Sequence, residues 1–228
     1  MSFEIIRRNS RARFTEVHTN LAHITSTEPK TPQDETSIQT KILRGLYYVH
    51  LYAALEKAIN EVVENTLILI NSKQITNKHY TTTFNAISLN NKMMAFKNAG
   101  YKEYIAKSIA IFRAIDSDES SDINNTLLTT SLQNVWHKTI QETLECFGIP
   151  SIDFGPQVRY TIDEIVNNRN AVAHGRETPA NIGERHRSDI LRKKTQEIQQ
   201  VVDLIIDAFE SFISNKNYLK SEHTNQYE

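Results

Sequence analysis

The chain reads as an all-α protein, an antiparallel bundle of about five to six helices. Three observations predict this. Gly and Pro number only 6 and 5 in 228 residues, so few positions break a helix. Leu, Ile, Ala, Glu, Lys and Gln fill the stretches between them. Apolar side chains also recur at intervals of three, four and seven, the spacing of one helical face.

Each element follows in order. Residues 2–24 form an Arg-rich amphipathic opener, and 25–35, with Pro29 and Pro32, a linker; residues 1–35 thus precede a bundle spanning 36–215. The strongest element is 36–71, with Ile38, Ile42, Val49, Tyr52, Ile59, Val63 and Ile70 on one face. Residues 72–91 are polar and poorly periodic. Residues 92–115 read as helical with a break around Gly100, ahead of an acidic, Ser-rich loop at 116–125. A helix over 124–147 should stop at Gly148-Ile149-Pro150. A turn at 151–156 leads into the penultimate helix, 157–174, and a loop covers 175–187. The last helix, 188–215, carries Ile190, Ile198, Val201, Val202, Ile205, Phe209, Phe212 and Ile213, with Ser188 or Asp189 as its cap. The polar tail, 216–228, is expected to fray.

Composition narrows the function classes. Cys146 is the single cysteine, so an intrachain disulfide and a thiolate zinc site are excluded, and a small buried side chain is expected there. No apolar leader opens the chain, and the most apolar run, 62–70, is too short to span a bilayer. A soluble, reducing, cytoplasmic setting without membrane contact follows as the expectation. His18 and His23, near Glu16, have no defensible zinc spacing, and no carboxylate constellation suits a metal-dependent nuclease, so neither metal nor cofactor is expected. The formal charge of −1 gives no global basic footprint. Nucleic-acid binding would therefore need a local patch or an assembled dimer.

The stretch that carries chemistry is Arg169-Asn170-Ala171-Val172-Ala173-His174-Gly175. An Arg with four to six residues before a His is not specific by itself, since Arg11/His18, Arg13/His18 and Arg44/His50 fit that pattern too. Its context is distinctive: a polar Asn directly after the Arg, small residues between, and a Gly that closes the helix. A guanidinium holds a phosphodiester through fixed bidentate donors, and an imidazole moves protons near neutral pH. RNA supplies its own nucleophile, the 2′-hydroxyl, so a site built from these two groups needs only proton transfer and charge stabilisation. Alternatives stay open for each residue. Arg169 could pair with Glu164 or Glu56, His174 could serve only as a helix cap, and Asn170 could only support the turn. Arg176, just past Gly175, either contacts RNA phosphates or is merely solvated. Glu56 shares the face of Val49, Tyr52, Ile59 and Val63; it is either solvated at the edge or orients Arg169 or His174, its own or those of a second subunit. Five positions along a helix rotate by about 140°, so Arg169 and His174 do not share a face, and a two-fold interface would gather two copies of each around one groove.

Residues 164–175, Glu-Ile-Val-Asn-Asn-Arg-Asn-Ala-Val-Ala-His-Gly, resemble the signature of HEPN domains. Residues 48–59, including Glu56, resemble the early helix of the MAE-like HEPN branch, and 144–149 resemble the segment before its motif helix. The resemblance covers roughly 36–215. It implies a helical bundle that dimerises through the motif. It also implies metal-independent endoribonuclease activity, commonly in toxin–antitoxin or anti-phage defence, with Arg169 and His174 catalytic and Asn170 supporting. A cognate antitoxin or defence-complex protein would be a further partner. The alternative from a different class is a non-catalytic helical dimer that binds a protein or a nucleotide.

Overall fold

The computed structural model describes residues 2–31 and 34–227, so the Pro32 portion of the expected linker lies outside the described residues. These residues form α1 (Phe3–Thr27), α2 (Ile38–Asn71), α3 (Asn85–Ser88), α4 (Asn90–Lys97) and α5 (Tyr104–Ile115). They continue with α6 (His137–Phe147), α7 (Gly155–Ala173), α8 (Pro179–Glu184) and α9 (Ser188–Ser214). No strand occurs among them; two isolated bridges, Thr76–Ser120 and Tyr80–Leu219, are the only β pairings. The fold is all-α, as expected, with α3, α4 and α8 as short additions to the six longer helices.

Helix α2 is the axis of the bundle, and α1, α7, α8 and α9 pack around it. Its core face comprises Tyr47, Tyr48, Leu51, Tyr52, Leu55, Ile59, Val62 and Val63, all buried. The expected stripe holds from Tyr52 onward but fails in the first turns, where Ile38 and Ile42 are exposed. Helix α8 packs closely on these turns. A Cβ on Gly45 would lie 1.9 Å from the Pro179 carbonyl oxygen, and one on Gly183 would lie 1.8 Å from that of Lys41. The two backbones therefore touch along the side bearing Lys41 and Gly45.

Four further differences from the sequence reading follow. Helix α6 begins at His137 rather than 124: residues 124–133 close only isolated turns, and the Gln133 carbonyl and Val135 amide are taken by Tyr52 and Arg169 of other helices. The poorly periodic 72–91 segment contributes Ile75, Tyr80, Phe84 and Ile87 to the core. The tail does not fray: Tyr218 and Leu219 are buried, and Tyr218 packs edge-on to Phe212 in an aromatic cluster that includes Phe84 and Phe147. Nor do Ser188 and Asp189 cap α9. Glu28, at the end of α1, does so from a distance, accepting from the Ser188 amide at 2.7 Å and its hydroxyl at 2.9 Å. A carboxylate there matches the positive end of the helix dipole, and it also pairs with buried Arg44 at 2.7 Å. Cys146 is half-buried, and burial pushes its thiol up. Among the described residues, no helix is long and apolar enough to cross a membrane.

Candidate functional site

Helix α7 ends in a Schellman motif, and this places His174. His174 is the C-cap, and Gly175 adopts the left-handed conformation (φ 66°) that a side chain would strain. The Gly175 amide donates to the Val172 carbonyl at 3.2 Å and the Arg176 amide to the Ala171 carbonyl at 2.9 Å. The chain then turns sharply into α8, whose N-cap Thr178 accepts from the Asn181 amide at 3.2 Å. His174, Gly175 and Arg176 are all exposed. Neither the His174 nor the Arg176 side chain has a hydrogen bond or ion pair among the described residues.

Arg169 is built to the opposite specification. Its side chain is only 15% exposed. The guanidinium lies over the Tyr52 ring, 3.7 Å from the centroid, and donates to the Gln133 carbonyl at 3.0 Å. Its Nη2 stands 3.5 Å from Glu56. Tyr52 is fixed in turn: its hydroxyl donates to the Gln133 carbonyl at 2.9 Å and accepts from the Val135 amide at 3.1 Å. Planar stacking and a fixed carbonyl together hold the guanidinium in one orientation. Burial raises both the Tyr52 hydroxyl and the Glu56 carboxyl, and Arg169 opposes both shifts. Asn170 donates from Nδ2 to Asn134 Oδ1 at 3.2 Å, tying α7 to the same loop.

The structure thus brings together Arg169, Asn170 and Glu56, on the face of α2 and the 133–135 loop. It does not join His174 or Arg176 to them: no hydrogen bond or ion pair links either to Arg169 or Glu56 among the described residues. Of the alternatives for Arg169, the pair with Glu56 is present, while Glu164 instead binds Lys194 and faces His186 at 3.7 Å.

Several residues escaped the sequence reading. Tyr52 looked like a core residue and is the platform for Arg169. Gln133 and Asn134 fell inside an expected helix. Arg185, on the far side of the turn, donates to Asn168 Oδ1 at 3.2 Å and pairs with Glu177, clamping the segment after His174 back onto α7. Tyr48, one turn before Tyr52, meets His186 Nδ1 at 2.8 Å. Burial lowers the His186 imidazole, and Lys194 and Arg185 push the same way against Glu164. One signal was available: Tyr48, Tyr52 and Glu56 are spaced by four, placing three polar heads in a row along α2.

No group of three or more His, Cys, Asp or Glu side chains that could hold a metal ion occurs among the described residues. The family model described as RiboL-PSP-HEPN matches residues 9–215. The all-helical fold is consistent with a HEPN domain. This chain belongs to the RiboL-PSP-HEPN family. Comparison with curated proteins and with solved structures found no match.

Proposed function

We propose that the chain is a metal-independent endoribonuclease acting as a homodimer, with Arg169 and His174 as its catalytic pair. The observation that supports this is the division between the two side chains. One is a prealigned guanidinium stacked on Tyr52; the other is an unpartnered imidazole presented to solvent at the end of the same helix. In this reading the RNA 2′-oxygen attacks phosphorus as the bond to the 5′-oxygen breaks, leaving a 2′,3′-cyclic phosphate. One His174 of the dimer takes the 2′-proton and the other protonates the departing 5′-oxygen. Arg169 stabilises the charge that builds on the phosphoryl oxygens. Asn170 holds the motif to Asn134, Glu56 helps orient Arg169, and exposed Arg176 contacts flanking phosphates. The resemblance to MAE-like HEPN proteins supports a cytoplasmic toxin–antitoxin or anti-phage setting with a cognate antitoxin or defence-complex protein.

A second reading, a non-catalytic dimer that binds a protein or nucleotide, is favoured by one observation. The Arg169 guanidinium is already engaged by Tyr52, Gln133 and Glu56. Cleavage of a mixed RNA pool in EDTA decides between them, with His174→Ala and Arg169→Ala run alongside. The ribonuclease reading expects wild-type cleavage that falls at least about 100-fold in each variant, with the melting temperature unchanged in His174→Ala, whose side chain is exposed, and a circular-dichroism spectrum that shows Arg169→Ala still folded. Equal cleavage by wild type and both variants sinks the assignment, and no cleavage by wild type favours the binding module.

A further inference from the structure

Residues 90–115 form a hairpin of α4 and α5 whose composition and burial disagree. Helix α5, Tyr-Ile-Ala-Lys-Ser-Ile-Ala-Ile-Phe-Arg-Ala-Ile, is mostly apolar, yet Ala114 is its one buried residue, and α4 buries none. Tyr101 is 99% exposed, Phe112 66% and Ile105 65%, with Met93, Met94 and Ile109 also open. A contiguous apolar surface of this kind is ordinarily a binding site. Between the hairpin and α3 runs a cleft of about 370 Å³ lined by Ala86, Met93, Phe96, Ile111, Phe112 and Ile115, among others.

The hairpin is also strongly basic. Lys92, Lys97, Lys102, Lys107 and Arg113 stand against Glu103 alone, in a chain whose net charge is −1. None of these five cations has an ion pair among the described residues. In the acidic loop that follows, Asp118 pairs with Lys78 at 2.5 Å and Asp122 accepts from Asn71 at 3.0 Å, while Glu119 lies along the same clefts as Lys92 and Arg113 without an ion pair to either among the described residues.

We propose that the α4–α5 hairpin is a docking site for an acidic amphipathic helix of a partner protein. An apolar ridge of such a helix fills the cleft, as in helix-in-groove recognition, and its carboxylates meet the unpaired lysines and Arg113. Charge argues against a second copy, because hairpin against hairpin would oppose five unpaired cations to the same five. RNA would satisfy the cations but leave an almost wholly apolar cleft uncovered, and a flat lipid surface has nothing to fill a concavity. The proposal rests on this surface alone, so its failure leaves the ribonuclease reading untouched.

The test is fluorescence anisotropy of the full chain with a labelled synthetic helix of roughly six turns, Leu on one face and Glu on the other. A Leu/Lys counterpart, phosphatidylserine vesicles and polyuridylate RNA serve as competing probes. Saturable binding of the Leu/Glu helix is expected, weakening with salt. It should fall about tenfold or more in Phe112→Ser and in Lys97→Glu combined with Lys107→Glu. Both variants change exposed or half-exposed positions, and unchanged melting curves verify their fold. The proposal is overturned by no saturable binding, by equal binding of the Leu/Lys helix, by a preference for vesicles or RNA, or by hairpin-dependent dimerisation.

Discussion

The polar side chains of Asn168, Arg169 and Asn170 on α7 each reach another element, whereas the α4–α5 hairpin carries five cations that have no ion pair among the described residues. Arg169 is shared among Tyr52, Gln133 and Glu56, Asn170 is bonded to Asn134, and Arg185 bridges Asn168 and Glu177. The hairpin, with similar helical content, buries one side chain. The difference lies in what each region has to pack against. Helix α7 lies on the central helix and next to α9, so its polar groups are desolvated and need protein partners. The hairpin packs on itself and against the short α3 and the Asn77–His79 turn, which leave its charges solvated and its apolar side chains open. A packed region suits a site that must hold a guanidinium in place, even though Asn168 Nδ2, Arg169 Nε and Asn170 Oδ1 are buried there without a hydrogen bond among the described residues, and an open one suits recognition of something external.

The largest effect expected of the packed region comes from the α2–α8 contact. Gly183→Ala would place a Cβ 1.8 Å from the Lys41 carbonyl oxygen, a backbone atom that cannot step aside alone. A loss of about 3 kcal/mol, the upper end for overpacking, should appear in urea unfolding. A loss below about 0.5 kcal/mol would mean that α8 is as loosely held as the hairpin, and the contrast would fail.

Tyr52→Phe comes next. It removes the hydroxyl from Gln133 and Val135 but keeps the ring beneath Arg169. A buried Val135 amide without a partner costs about 1–3 kcal/mol, measurable by the same unfolding curves. If stability drops while RNA cleavage persists, ring stacking alone positions the guanidinium. If cleavage drops in step with Arg169→Ala, the Gln133 loop is part of the site.

The smallest effect is a pH dependence. Burial lowers the His186 imidazole from its ordinary value of 6.5, so the unfolded chain takes up a proton first as pH falls. Stability is then fully present above 6.5, declines below it, and levels off once the folded imidazole also titrates. His79 has the same sign: burial lowers it, and stacked His223 adds to the shift. Melting temperatures of wild type and His186→Gln between about pH 7.5 and 5 should converge or cross as pH falls, the variant having the flatter curve. Parallel curves would remove His186 from the account. The hairpin has no histidine, so substitutions there should leave the slope unchanged.

The all-α class, the long central helix, the Gly148 and Gly175 stops and the Arg169–His174 element were legible because each depends on local chemistry. Helical periodicity, scarce Gly and Pro, and left-handed caps act over a few residues. What the tertiary structure alone decided lies where distant segments compete for the same backbone groups. The segment Asn124–Asn134 has the composition of a helix, but Gln133 and Val135 give their carbonyl and amide to Tyr52 and Arg169 instead. Ile38 and Ile42 fit an apolar stripe, but both are exposed, while α8 packs closely on α2 at Gly45. The tail looks polar, yet Tyr218 reaches an aromatic cluster assembled from α9 and the 72–91 segment. Periodicity reports which face of a helix is apolar. Which neighbour arrives to cover it, and which hydrogen bonds that neighbour claims, depends on contacts between residues far apart in the chain.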